Sequence, residues 1–599
     1  MTIYTVDAAA GPSEERRRMF TSDVLSAAAR VLQESGSGVD AGQLVRLLRR
    51  NGVPLLSIEA LDWRDDGPRA AFGLVADRAF QDAVEEDRRT LDEAHRHFRE
   101  LADGWTGREV ASICFKSAGI PPSFPYTSEN IDILIQPDAA ASARQTLLEL
   151  GYVELRNIEE HQKWMFRLFE AGSSRSAIHL HTRVGWGQGF MLEPEIWRRR
   201  RQAQDDVFTG VPGPEDVVLI NVAHALYENK EIGLHDVAKV RAAIRDGVDW
   251  EYIDYVAEER GWRLGLWFGL ATIGRLERET MPTWAIDERR FEQVVSGVQE
   301  SRYGRYWREV AERPARFPMP LSFVMTKTMF FEKVWSDRRV RPLAKPSIAS
   351  LALIRGIKGQ LGAHPQNSWL VTLSGLDGSG KTRQANALKE SFDVAELRSR
   401  VMWARLGATP LMHRLSLTYR RRLAPVEREG EADGQSANRT REGWSLAPWA
   451  GMSAADFALW LLRVRWRLLR GDIVIADRYL PDFKIELYGK AAECRQLSAL
   501  LLRVLDIVAP NPDQAFLLDL EGTLAHGRAD FDRRAGDPAA EMMAYRRLAR
   551  ERGLTVIDAS EPFETVSRRL AHEVLSGYLA RYGTLGNLLF FSNPWQLNR

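Results

Sequence analysis

Cysteine is nearly absent from this chain: Cys114 and Cys494 are the two in 599 residues. Two thiols that far apart build neither a disulfide framework nor a zinc pattern, and such usage suits a reducing cytoplasm. No run of about 18 uncharged apolar residues occurs, so no transmembrane helix is expected. The best apolar stretch, Leu497–Ala509, is broken by Arg503 and Asp506. Near the N-terminus, Glu14-Glu15-Arg16-Arg17-Arg18 stands where a secretory signal would need an apolar core and a cleavage site. Net charge is only +1, so nothing in the overall balance calls for nucleic acid or an anionic membrane.

What remains is the composition of an ordinary globular protein, 45% apolar and 27% charged, with 18 tryptophans to fill cores. The length is too great for one core and implies about three or four domains.

The most informative stretch is Leu373-Ser374-Gly375-Leu376-Asp377-Gly378-Ser379-Gly380-Lys381-Thr382. It fits G-x-x-x-x-G-K-S/T at every fixed position. The apolar run Trp369–Leu373 before it reads as a buried strand, and Arg383–Glu390 after it reads as a helix. Strand, glycine loop and helix form a concave anion site, with backbone N–H groups and the positive helix end aimed at phosphates. In that reading Gly375, Gly378, Ser379 and Gly380 cradle ATP, Lys381 meets the β/γ phosphates, and Thr382 holds Mg²⁺.

From Ser368 onward strands and helices alternate, which predicts a doubly wound parallel α/β domain with ligands at the carboxyl ends of its strands. The strand Asp472–Ala476 runs into Asp477-Arg478-Tyr479, and Asn511-Pro512-Asp513 precedes the strand that carries Asp519. Asp477 is placed to hold Mg²⁺ or orient an acceptor, and Arg478 to clamp a phosphate. The basic loop His526–Arg534 reads as a lid whose arginines close over the transferring group. Tyr419–Trp449 begins with three arginines and continues as a polar Gly/Glu/Asn stretch that reads as disordered.

Over residues 367–578 these features together resemble thymidylate kinase and its relatives. The resemblance implies an ATP- and Mg²⁺-dependent kinase acting on a nucleoside monophosphate such as dTMP, or on a related phosphorylated acceptor. It implies Asp377, Arg478 and Tyr479 toward the acceptor, and Arg528, Arg533 and Arg534 toward the ATP phosphates. Lys381, Asp477, Arg478, Arg528 and Arg533 become the catalytic set, and Thr382 and Asp477 the metal set. Divergent relatives of this kind, often joined to other domains, serve glycan or surface-polymer pathways, which leaves the acceptor open.

A second, smaller α/β domain is expected from about Val110. Ala111–Phe115 and Ser128–Ile135 read as strands, Ala139–Leu150 as a helix closed by Gly151, and Lys163–Phe169 and Ala177–Val184 as further strands of a mixed sheet. Period-two alternation puts Asn130 and Asp132 on one face, and likewise His179 and His181. Residues 110–245 resemble the uncharacterised nucleotidyltransferase family of the polymerase-β-like superfamily, in which clustered carboxylates hold Mg²⁺ for attack on a nucleotide α-phosphate. Asn130, Asp132 and His179 fall at the three acid positions, His181 matches the family's histidine, and Lys116 and Gly119 its Lys-Gly turn. An amide and an imidazole in place of two carboxylates imply a metal-deficient site. His224, His235 and Asp236 read as polar-network residues of the helical tail that follows.

The expected organisation is an N-terminal helical region (1–109), the nucleotidyltransferase-like domain (110–245), a helical region with a basic aromatic connector (246–366) and the kinase-like domain (367–599). Expected partners are ATP, a small phosphorylated acceptor and a second copy of the chain as a homodimer, with no nucleic acid. Two other readings stand beside this one: a non-catalytic ATP-responsive scaffold, and an active nucleotidyl transferase in a surface-glycan pathway.

Overall fold

The computed structural model describes the chain except residues 1–11, 35–40, 54, 56–77, 117–129, 156–162, 187, 202–209, 351–367, 396, 405–434, 491–494, 522–537 and 582–599. Its contacts divide the chain into two compact units. Met1–Arg167, Arg175–Gly362 and Gln596–Arg599 make the first, and Leu168–Ser174 with Ala363–Trp595 the second.

The first unit is built on a mixed sheet of β1 (Ser112–Cys114), β2 (Asn130–Ile135), β3 (Val153–Leu155), β4 (Lys163–Glu170) and β5 (Ser173–His181), in the order β1-β2-β5-β4-β3. β2 runs antiparallel to β1 and parallel to β5, so Asp132 lies directly opposite His179 and Leu134 opposite His181. β5 begins four residues earlier than expected and ends at His181. Val184 follows as a buried core residue outside the strand.

Helices complete this unit. In Pro214–His224 every residue from Pro214 to Ala223 is buried, with Glu215, Asp216 and Asn221 among them. It passes without a break into a single π-turn, Ala225–Asn229, which ends at Lys230 in the left-handed region (φ 57°). A short antiparallel pair, β6 (Glu231–Ile232) and β7 (Met319–Pro320), follows it in space. The basic aromatic segment expected as a connector folds into this unit. Phe317, Met319, Leu321, Met325 and Met329 join its core, because the helix Phe323–Ser336 turns an apolar stripe inward. The N-terminal helix Pro12–Glu34 contributes Val24, Leu25, Ala27 and Ala28 to the same core. Its Asp23 accepts from the fully buried Arg241 guanidinium (3.0 and 3.1 Å), which also donates to Glu277 (2.5 Å) and the Thr283 carbonyl (2.7 Å).

The second unit holds an all-parallel sheet of β8 (Trp369–Gly375), β9 (Ser399–Trp403), β10 (Ile473–Asp477), β11 (Gln514–Asp519) and β12 (Thr555–Asp558), in the order β12-β11-β8-β10-β9. The central strands β8 and β10 are buried at every position, the pattern of a parallel strand covered on both faces. Asp513 fixes the entry to β11: its carboxylate accepts from Leu370 N–H at 2.8 Å, and its own N–H donates to the Leu370 carbonyl. Where a disordered insert was expected, a helix runs from Gln435 to Leu469 with Pro448 inside it; residues 405–434 lie outside the described set. Among the described residues no helix is long and apolar enough to cross a membrane.

Candidate functional site

The carboxyl ends of β8 and β10 are neighbours, with Asp477 in register with Leu373. β8 leads into a loop whose glycines take conformations that side chains resist: Gly375 at φ 148°, Gly378 at 88° and Gly380 at 86°. A Cβ at Gly375 would also meet the Leu518 carbonyl oxygen at 2.6 Å. The helix Lys381–Val394 starts directly after the loop, so its free N–H groups face the concavity.

The Thr382 hydroxyl donates to Asp477 Oδ2 at 2.6 Å. Asp477 Oδ1 is buried without a hydrogen-bond partner among the described residues, and burial pushes this carboxyl up from its ordinary value. A hydroxyl and a carboxylate beside a phosphate-type loop form the oxygen donor set that Mg²⁺ accepts, so these residues fit the ion. Lys381 is turned onto its own loop, donating to the Gly375 and Leu376 carbonyls at 2.7 Å each. Burial lowers its pKa, with Asp482 opposing that shift.

Arg478 occupies the left-handed region (φ 76°), a strained setting for a non-glycine residue that over-determined sites retain. Its N–H donates to the Leu373 carbonyl at 3.0 Å, and its guanidinium pairs with the exposed Asp377. Two of the three residues expected to face an acceptor, Asp377 and Arg478, are thus brought together. Tyr479 is not with them. Its ring is buried near Trp460, and its hydroxyl donates to the Pro510 carbonyl at 2.6 Å, because its turn feeds directly into the helix Leu480–Lys490. Ser379 is buried in the loop, with its hydroxyl unpartnered among the described residues. Arg528, Arg533 and Arg534 lie outside the described residues.

Two side chains here escaped the sequence reading. Asp482 Oδ2 accepts from Tyr479 N–H (3.0 Å), and its Oδ1 accepts from Gly375 N–H (3.3 Å) and the Tyr545 hydroxyl (3.0 Å). Pro481-Asp482 at the start of a helix was the available signal, since an acid in a first turn seeks N–H groups.

The second cluster lies in the first unit. Asp132, His179 and His181 are buried, and His181 Nε2 and His179 Nδ1 stand 2.9 and 3.3 Å from Asp132 Oδ1. Lys116 Nζ is 3.3 Å from the same oxygen and 3.0 Å from Glu228 Oε2, which His224 Nε2 also reaches at 3.0 Å. Burial, the largest influence on Asp132, pushes its carboxyl up, but Lys116 and the histidines outweigh it and hold it well below the usual range. Burial pulls both imidazoles down to about 4. Lys239 donates to the Lys116 carbonyl and is itself lowered by burial to about 8. Asn130 heads the same strand, opposite Ala177, and Gly119 lies outside the described residues. Glu228 was legible only as the i+4 partner of His224; the π-turn carries it toward Lys116. One carboxylate and two imidazoles do not make the hard oxygen set of Mg²⁺, so the site does not fit that ion.

Residues 37–276 match the model of a family described as "Uncharacterised nucleotidyltransferase". The match starts well upstream of the expected boundary at 110, so it takes in helices of the N-terminal region. A thymidylate kinase of Xanthomonas euvesicatoria pv. vesicatoria (strain 85-10) is 29% identical over 223 residues, covering 35% of this chain and 84% of that protein.

Proposed function

We propose that the second unit transfers the γ-phosphoryl group of ATP to a small phosphorylated acceptor, a nucleoside monophosphate such as dTMP or a related compound. The observation that carries this reading is the Thr382–Asp477 pair, 2.6 Å apart, at the mouth of the glycine loop. In the reaction an acceptor phosphate oxygen forms a bond to the γ-phosphorus while the bond to the β,γ-bridging oxygen breaks and ADP leaves. Thr382 and Asp477 would hold Mg²⁺, which when bound neutralises charge on the β and γ phosphates. Lys381 leaves the Gly375 and Leu376 carbonyls for the nucleotide phosphates. Arg478 exchanges Asp377 for the acceptor phosphate and aligns it for in-line attack. Arg528, Arg533 and Arg534, outside the described residues, are assigned to the ATP phosphates by the resemblance alone.

In this reading the kinase spans 367–599 and works in the cytoplasm, joined to a nucleotidyltransferase-like part that includes 110–245. The test is Mg²⁺-dependent ATP consumption by the full chain against a panel of nucleoside monophosphates and sugar phosphates. Stimulation by one acceptor, abolished in Lys381→Ala, is the expected result. Tight ATP binding with no acceptor-stimulated turnover overturns it in favour of an ATP-responsive scaffold.

A further inference from the structure

We infer that Asp132, His179 and His181 form a binding site for a transition-metal dication of the Zn²⁺ class. The register of β2 on β5 sets Asp132 opposite His179, and the alternation of β5 brings His181 to the same face. One ring nitrogen from each histidine and a carboxylate oxygen of Asp132 lie within 4.8 Å of one another. Ligands at Zn–N and Zn–O distances of about 2.1 Å in a tetrahedron lie roughly 3.4 Å from one another. The 2.9 and 3.3 Å separations from Asp132 Oδ1 are near that spacing.

Donor chemistry selects the ion. Two imidazoles and one carboxylate are a borderline set that Zn²⁺, Co²⁺ or Fe²⁺ accepts and Mg²⁺ does not. The three side chains are buried, so the rotamers are already fixed and little ordering remains for binding to complete. Three protein donors leave a fourth position for water or an anionic ligand.

The charges facing the cluster are mixed. Asp132 and Glu228 are the acids, and Lys116 is the cation they share. Lys163 and Lys239 add positive charge from β4 and from the helix Leu234–Arg245. When the ion takes Asp132, Glu228 keeps Lys116, so the ammonium retains a partner.

The test uses the full chain without a histidine tag, stripped with chelator and titrated with Zn²⁺ by calorimetry and with Co²⁺ by visible absorption. One saturable equivalent and a d–d spectrum of a low-coordinate N/O site are expected, with excess Mg²⁺ displacing neither ion. His181→Gln and His179→Gln should each weaken binding by at least the roughly 10–100-fold that loss of a supporting partner costs. No saturable binding, displacement by Mg²⁺, or unchanged affinity in both variants overturns the proposal. The Co²⁺ spectrum is read on the unaltered protein, so it decides the matter even if a variant fails to fold. None of these readouts depends on phosphoryl transfer.

Discussion

The Tyr545 hydroxyl donates to Asp482 Oδ1 at 3.0 Å. Through that one carboxylate the helix Pro538–Arg552 is tied to Gly375 at the start of the glycine loop and to the turn after β10. Asp482→Asn replaces one carboxylate oxygen by an N–H₂ that the backbone N–H groups of Gly375 and Tyr479 cannot accept, and Tyr545→Phe deletes one donor. A hydrogen bond to a charged group is worth about 1.5–3 kcal/mol, so Tyr545→Phe should lower stability by about that amount and Asp482→Asn by at least as much. Urea unfolding followed by circular dichroism measures this. Equal stability of both variants and the parent would show that the carboxylate does not join these elements.

Thr382→Ala and Asp477→Asn each remove one oxygen from the pair that faces the loop. Nucleotide should still bind in the absence of Mg²⁺, while the tightening caused by Mg²⁺ is lost. Titration of a fluorescent ATP analogue with and without Mg²⁺ separates the two effects. A variant that keeps the full Mg²⁺ response removes this pair from the metal set.

Asp216 offers a pH-dependent test away from either cluster. Burial raises its carboxyl to about 7, opposed by the Tyr252 hydroxyl that donates to it at 3.0 Å. A raised folded pKa favours the protonated form, so its contribution is fully present below the unfolded value near 3.8 and is lost as pH rises through 7. The cost grows by up to about 1.4 kcal/mol per pH unit across that window. Asp216→Asn imitates the protonated acid. It should therefore exceed the parent in stability at pH 8 and lose that advantage toward pH 4. A constant difference between the two across pH would refute the assignment.

Arg241→Met leaves Glu277 buried without its cation, while Asp23 keeps Arg245, 2.5 Å away. Breaking one side of a buried ion network costs about 3–5 kcal/mol, and thermal unfolding of the variant should reveal a loss of that size. Adding Asp23→Asn and Glu277→Gln should recover part of it. No loss in the single variant would mean that the network contributes nothing net.

The sequence made the second unit legible because its signals were local. The glycine loop, the β-branched run before it and Asp477 at a strand end sit where their spacing places them. Asp482 was legible only as a first-turn acid accepting from Tyr479 N–H; its partners Gly375 and Tyr545 are remote in sequence and meet it only in the fold. Tyr479 shows the opposite failure: its place in a triplet suggested an acceptor contact, whereas packing turned the ring toward Trp460. In the first unit, alternation paired Asn130 with Asp132 and His179 with His181, while the register of β2 on β5, which alternation does not give, sets Asp132 opposite His179. It did not reveal Lys116 as their neighbour, because the Lys116–Glu228 pairing spans 112 residues and rests on a π-turn that no short pattern encodes.

The Asp23–Arg241 pair spans 218 residues, and this has a consequence during synthesis. At roughly 5–20 residues per second, the ribosome needs about 10–40 seconds after making Asp23 to supply its arginine. The N-terminal helix packs on the helices Leu234–Arg245 and Arg263–Thr280, so its apolar face is fully covered only after both have been made. Until then that face is exposed to solvent and to chaperones.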